Sequence, residues 1–223
     1  MIHLLTACTD DYKKAASNLC LSAMKQGIND YLIEPIESIS PVAKRLFAGN
    51  INERNRIWFY IWKPYLIWET IISLPKNDIL IYADAGQIFT DSIFPLFDDM
   101  DQDIMLFHNP WKHVEWCKGD VYYAINGMVN NERKQVQASL IIFKVTPSVI
   151  DLVKEWMLWC MMPGFCDNSP SKMPNFPTFQ EHRYDQAVLT CLQIKYGYRL
   201  HEIPRIDNGN AKYKCINHHR NKW

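Results

Sequence analysis

The sequence is poor in glycine, with 8 in 223 residues, which excludes collagen-like and Gly/Ser-linker architectures. No G-x-G-x-x-G follows the first apolar run, so the phosphate-cradling loop of a dinucleotide-dependent oxidoreductase is missing. There is no charge of one dominant sign. Lys+Arg and Asp+Glu both count 24, leaving no overall field to attract nucleic acid or an acidic membrane. Long hydrophobic runs are lacking too. The longest, Trp156 to Met162, is far short of the ~18 residues that a membrane span needs. The seven cysteines are odd in number and contain no C-x-x-C, which argues against a disulfide framework and a zinc knuckle. Buried free thiols are the plain expectation for all of them. No N-x-Ser/Thr acceptor occurs, and the start MIHLLTA carries no basic region before Asp10-Asp11. It reads as a buried strand rather than a signal peptide, and the expected compartment is a reducing cytoplasm.

Apolar residues make up 48% of the chain, with 8 Trp, 11 Tyr and 10 Phe. A chain of this size buries roughly 70% of its unfolded surface and needs no staple. The pattern predicts an α/β fold. Residues 2–8 read as a strand, Thr9-Asp10-Asp11 as a helix start, and 31–33 as a second strand, with a helix ended by Gly27 between them. Residues 53–73 have a helical pattern that Pro64 must kink or restart. Strands are expected at 79–83, 103–107, 137–144 and 199–206. Helices are expected at 118–125, 147–161 and 182–196. Residues 163–180 hold four of the twelve prolines and predict a long loop, read as a movable cover. No repeat or linker divides the chain. One domain over 1–223 is expected, with halves at about 1–100 and about 101–223.

Several residues invite a chemical reading. Asp84 ends the apolar strand ILIYA, where α/β sheets bind ligands, and Ala85-Gly86 follow it. A short carboxylate there suits a divalent cation or a ribose hydroxyl, although a turn-capping Asp with a turn Gly explains it equally well. Asp185 and Gln186, at the start of a late helix, suit hydrogen bonds to sugar hydroxyls, or ordinary helix-start chemistry. The tail His218-His219-Arg220-Asn221-Lys222-Trp223 offers imidazole ligands and phosphate-neutralising cations, or a solvated basic terminus. Lys63 before Pro64 is placed to reach a phosphate or to sit on the surface. Gln137 and Ser139 share one strand face. Lys118 and Asp120 lie near the aromatics Trp111, Trp116, Tyr122 and Tyr123. His108, His113 and His201 have no metal-ligand spacing and receive no role.

In this order the pieces resemble a GT-A glycosyltransferase, with ILIYADAG standing for the apolar strand and D-x-D motif, and a H-R-x-D-Q element at 182–186. The likeness covers roughly 2–222 and is closest to small bacterial and virus-encoded hexosyltransferases. It implies a Rossmann-like, mostly parallel central sheet flanked by helices, an Mn²⁺ or Mg²⁺ ion, a nucleotide-sugar donor (a UDP-hexose) and a glycan acceptor. It also implies roles for individual residues. Asp84 corresponds to the first Asp of D-x-D, while Gly86 stands where the principal metal-ligating Asp would be. Asp185 and Gln186 correspond to the donor-sugar pair. His218 or His219 would ligate the metal, Lys222, Arg220 and Lys63 would meet the diphosphate, and Thr6, Ala7, Cys8, Thr9 and Tyr12 would lie near the nucleobase. Retention of anomeric configuration is favoured; if the reaction inverts, Asp120 or Asp185 would be the base. A non-catalytic nucleotide-sugar or glycan binding module, or a sugar nucleotidylyltransferase, is the alternative. The latter should carry a Gly-rich N-terminal loop, whereas residues 1–30 hold only Gly27.

Overall fold

Apolar runs that are continuous rather than alternating need cover on both faces, and the central sheet supplies it. The computed structural model describes residues 1–28, 30–47, 60–127 and 132–219. Its strands are β1 (Ile2–Cys8), β2 (Asp30–Pro35), β3 (Ile79–Ala83), β4 (Gln87–Phe89), β5 (Ile104–Lys112), β6 (Lys134–Lys144), β7 (Leu200–Glu202) and β8 (Ile216–His218). The helices are α1 (Lys13–Lys25), α2 (Pro41–Phe47), α3 (Trp62–Ile71), α4 (Phe94–Asp98), α5 (Gly119–Asn126), α6 (Pro147–Met161) and α7 (Tyr184–Tyr196).

Six strands form one sheet in the order β2-β1-β3-β6-β5-β7. β6 is antiparallel to both neighbours and every other contact is parallel, so the expected mostly parallel sheet is present. Period-two alternation sorts its side chains between two cores. Leu80, Tyr82, Ile141 and Phe143 join Trp156 of α6 and Val188 of α7 on one face. Ile81, Ala83, Leu140 and Ile142 join Leu19 of α1 on the other.

The differences from expectation have local causes. Pro64 lies in the first turn of α3, where its missing N–H costs nothing, so it restarts a helix. The expected helical residues 53–59 lie outside the described residues. Thr9 precedes a 3-10 turn at Asp10–Tyr12 without a side-chain cap bond, and α1 follows that turn. The expected strand 199–206 is only three residues long. The tail, read as a basic terminus, instead adds β8 to β4: Gln87 pairs with His218 and Phe89 with Ile216. Three-residue strands carry too little alternation to be seen in a sequence.

The 163–180 loop was expected to move, and the structure pins it. Lys118 is 3% exposed, and its ammonium donates to Asp167 Oδ1 at 3.2 Å and to Ser169 O at 3.0 Å. The Asp120 carboxylate receives the backbone N–H groups of Lys172 and Met173 at 2.9 and 2.7 Å. His182 is buried, and desolvation pushes its pKa down to about 3. The neutral ring accepts the Lys118 N–H at Nδ1 (3.2 Å) and donates from Nε2 to Phe165 O at 2.6 Å. Breaking one member of a buried charged set costs several kcal/mol. We therefore expect Lys118→Met to lose about 3 kcal/mol of unfolding free energy and to gain proteolytic cuts within 163–180. Unchanged stability and an unchanged cleavage pattern would contradict this reading of the loop.

Candidate active site

A cleft of ≈ 490 Å³ opens at the C-terminal end of β3. Asp84 reaches it because it is the first residue past the buried strand. Lys63 reaches it from the first turn of α3, and Asp185 from the first turn of α7. The chain enters α7 through Tyr184 at φ 41, a conformation that costs a non-glycine residue of order 1 kcal/mol or more. Such strain persists where the surrounding structure fixes it, here by the Tyr184 hydroxyl donating to Asn168 Oδ1 at 2.7 Å.

The floor of the cleft is an ionic set. Lys63 is 4% exposed, and its Nζ lies 3.3 Å from Asp84 Oδ1 and 3.5 Å from Asp185 Oδ2. It donates a hydrogen bond to Ala138 O of β6 at 3.1 Å. The rings of Tyr82, Tyr60 and Trp62 surround the ammonium at 5.3 to 5.9 Å from their centroids. Burial alone would lower the Lys63 pKa, but Asp185 and then Asp84 outweigh it and hold the group above its ordinary value, so it stays charged. Burial raises the Asp185 pKa to about 6 against the opposing pull of Lys63, with Asp84 adding to the rise. Asp185 Oδ2 is itself buried and faces the Lys63 ammonium, while the residue as a whole lines the cleft wall. Asp84 Oδ1 also accepts the Tyr82 hydroxyl at 2.7 Å, and that burial raises the phenol well above its usual range.

The other expected residues divide into three groups. Gln137, His218 and His219 line the cleft with Asp84, Asp185, Gln186 and Lys63. Gln186 is largely committed to the scaffold, since its Oε1 accepts Ala138 N–H at 3.2 Å and its Nε2 donates to Gln135 at 2.8 Å. Cys8 packs with Ala16 and Ala85, and Tyr12 lies against them, so the expected nucleobase segment abuts the 84–86 turn. Thr6, Ala7, Cys8, Thr9 and Tyr12 themselves do not line the cleft. Asp120 is not among the lining residues either, and its carboxylate is engaged by the 163–180 loop. Arg220 and Lys222 lie outside the described residues. The sequence reading missed Tyr60, Arg183, Tyr184 and Arg205, which also line the cleft. Arg183 sits 4.6 Å above the Trp116 ring and 6.0 Å from Trp111, and it pairs with Glu181. Arg205 is bonded to Asp207. The H-R-Y-D-Q string placed Arg183 beside two residues of interest, but Arg205 carries no comparable signal.

No family profile and no curated protein sequence matches the chain. Solved structures do. The bifunctional glycosyltransferase WbbM superposes with a TM-score of 0.59 at 13% identity, over 99% of this chain and 46% of its own. The galactosyltransferase LgtC, solved with donor and acceptor sugar analogues, gives 0.55 at 14% identity, over 98% and 87%. A glycosyltransferase involved in glycosylating the major capsid of PBCV-1 gives 0.52 at 13% identity, over 97% and 93%. The chain has the GT-A fold. It spans less than half the length of WbbM.

That fold implies a divalent ion, and the residues can be tested for one. Gly86 occupies the place of the usual second carboxylate. A Cβ there would meet His219 O at 2.5 Å, because the tail runs across the turn with the His219 N–H donating to Gly86 O at 2.7 Å. Asp84, His218 and His219 do not bring three ligand atoms within 4.8 Å of one another; among the described residues only a buried trio elsewhere does. As placed, these residues do not fit a divalent ion.

Two outcomes are expected. Gly86→Ala should cost about 1–3 kcal/mol, because the tail backbone must retreat; unchanged thermal stability would contradict the close approach. Lys63→Met should cost about 3–5 kcal/mol at pH 8, by leaving two carboxylates unpaired. The loss should shrink at pH 5, where Asp185 takes up a proton. In the wild type the raised pKa of Asp185 makes its own contribution to stability fall as pH rises from about 4 to about 6. Denaturant titrations at several pH values read both effects. A pH-independent loss in Lys63→Met would contradict the assigned coupling.

Proposed function

We propose that the protein is a glycosyltransferase moving a hexose from a UDP-hexose to a hydroxyl of a glycan acceptor, with retention of configuration. The observation that carries this reading is the buried Lys63 ammonium held between Asp84 and Asp185 at the wall of a sugar-sized cleft. The GT-A fold supports it, as do the glycosyltransferase activities named for LgtC and the PBCV-1 protein. In this reading residues 1–223 act as one catalytic domain, since the cleft draws Lys63 and Asp84 from the first half and Asp185 and His218 from the second.

The chemistry follows from charge. The Asp185 carboxylate accepts a hydroxyl of the donor sugar and fixes its orientation. The leaving diphosphate gains negative charge, and Lys63 with Arg183 and Arg205 supplies cations already in place. The bond from the anomeric carbon to the phosphate oxygen breaks, the acceptor oxygen bonds to the same face of that carbon, and the departing phosphate takes the acceptor's proton. Retention is favoured because, among the described residues, both aspartates lining the cleft pair with Lys63. No step is assigned to Mn²⁺ or Mg²⁺. Among the described residues no helix is long and apolar enough to cross a membrane. The seven cysteines are all buried and unpaired by disulfides, which suits a reducing cytoplasm.

A thermal-shift panel of UDP, GDP, CMP and dTDP, each with Mn²⁺ or with EDTA, tests the donor. We expect UDP to stabilise most and to do so in EDTA, by about 2.7 kcal/mol at a hundredfold excess over Kd. No shift with any nucleotide would overturn the reading. NMR of the product anomer tests the outcome: retention is expected, and a cleanly inverted product refutes it. UDP binding without transfer or donor hydrolysis would instead identify a binding module.

A further inference from the structure

Away from the cleft, three side chains with metal-binding chemistry meet in the core. His113 lies in the 3-10 turn after β5, Cys117 just before α5, and Cys191 in the middle of α7. Each is 0% exposed. His113 Nε2 is 3.3 Å from Cys191 Sγ, and the two sulfurs are 3.8 Å apart. The three atoms lie within 4.8 Å of one another, and the cysteines are not disulfide-bonded. None of the three lines the cleft.

Two features of this arrangement favour a soft divalent ion. The first is spacing. A tetrahedral Zn²⁺ with Zn–S of about 2.3 Å and Zn–N of about 2.05 Å holds two sulfurs about 3.8 Å apart and nitrogen from sulfur about 3.5 Å apart. The observed separations are close to both. The second is charge. Two thiolates, one neutral imidazole and one divalent cation sum to zero, the only total that a fully buried site holds cheaply. A monovalent ion would leave a net negative charge in the core. Without an ion the site is poorly satisfied. His113 Nδ1 has no hydrogen-bond partner, and Nε2 has only a thiol.

We propose that His113, Cys117 and Cys191 bind one Zn²⁺ ion as a structural centre separate from the cleft. The trio fills three positions of the tetrahedron and water fills the fourth, and two thiol protons leave to solvent as the ion enters. The consequence is mechanical. The 113–117 segment receives the chain leading into α7: Glu115 O accepts Gln180 N–H at 2.8 Å and Trp116 O accepts Arg183 N–H at 3.1 Å. Clamping that segment to Cys191 fixes the turn that delivers Tyr184 and Asp185.

The full chain, purified with reductant and without chelator, gives the test. Elemental analysis and native mass spectrometry should find about one Zn²⁺ per chain. Replacement by Co²⁺ should produce the near-ultraviolet thiolate charge-transfer band and the intense visible bands of a tetrahedral ion. Cys191→Ser should lose the charge-transfer intensity and the bound zinc, whereas Cys215→Ser, a buried thiol elsewhere, should keep both. A folded wild-type chain with neither zinc nor the cobalt bands overturns the proposal, as does a wild-type chain lighter by two hydrogens and carrying a Cys117–Cys191 disulfide. If Cys191→Ser does not fold, the wild-type cobalt spectrum still decides.

Discussion

The buried ammonium of Lys63 organises the molecule. It joins α3, the end of β3, the backbone of β6 and the start of α7 at one point, through Asp84, Ala138 O and Asp185. Burying a lysine and an aspartate beside a partly exposed second aspartate is costly in isolation and tolerable only as a set. Burial also pushes the Asp185 carboxyl up to about 6. A perturbed ionic set at the wall of a cleft links the fold's stability to its proposed chemistry.

The second constraint is the tail. β8 pairs with β4 directly after the 84–86 turn, and the His219 carbonyl takes the space that any side chain at 86 would need. Glycine there serves close backbone packing. The tail that resembles a ligand-bearing element thus acts in the described structure as part of the cleft wall. The charged residues lining that cleft are Lys63, Arg183 and Arg205 with Asp84 and Asp185.

Much of this was legible in the residues. β3 was visible because ILIYA is continuously apolar, and Asp84 followed from its place at the end of that strand. α7 and its Gly197 stop were visible from their helical period. The role of Lys63 was only half legible: Pro64 showed where a helix restarts, but no local pattern reveals that the lysine points into the core toward residues 21 and 122 positions away (84 − 63 and 185 − 63). Arg205 and β8 were invisible, since each depends on a three-residue pairing made by distant chain. The burial of Cys117 and Cys191 was expected, but their meeting with His113 was invisible: a spacing of H-x-x-x-C means little until the middle of α7 is laid beside it.

The most direct test of the account is the position of a bound donor. A crystal structure with a UDP-hexose should place a sugar hydroxyl within hydrogen-bond distance of the Asp185 carboxylate, with the diphosphate directed toward Arg205 and His218. A sugar nucleotide lodged outside this cleft, or a hexose turned away from Lys63 and Asp185, would contradict it.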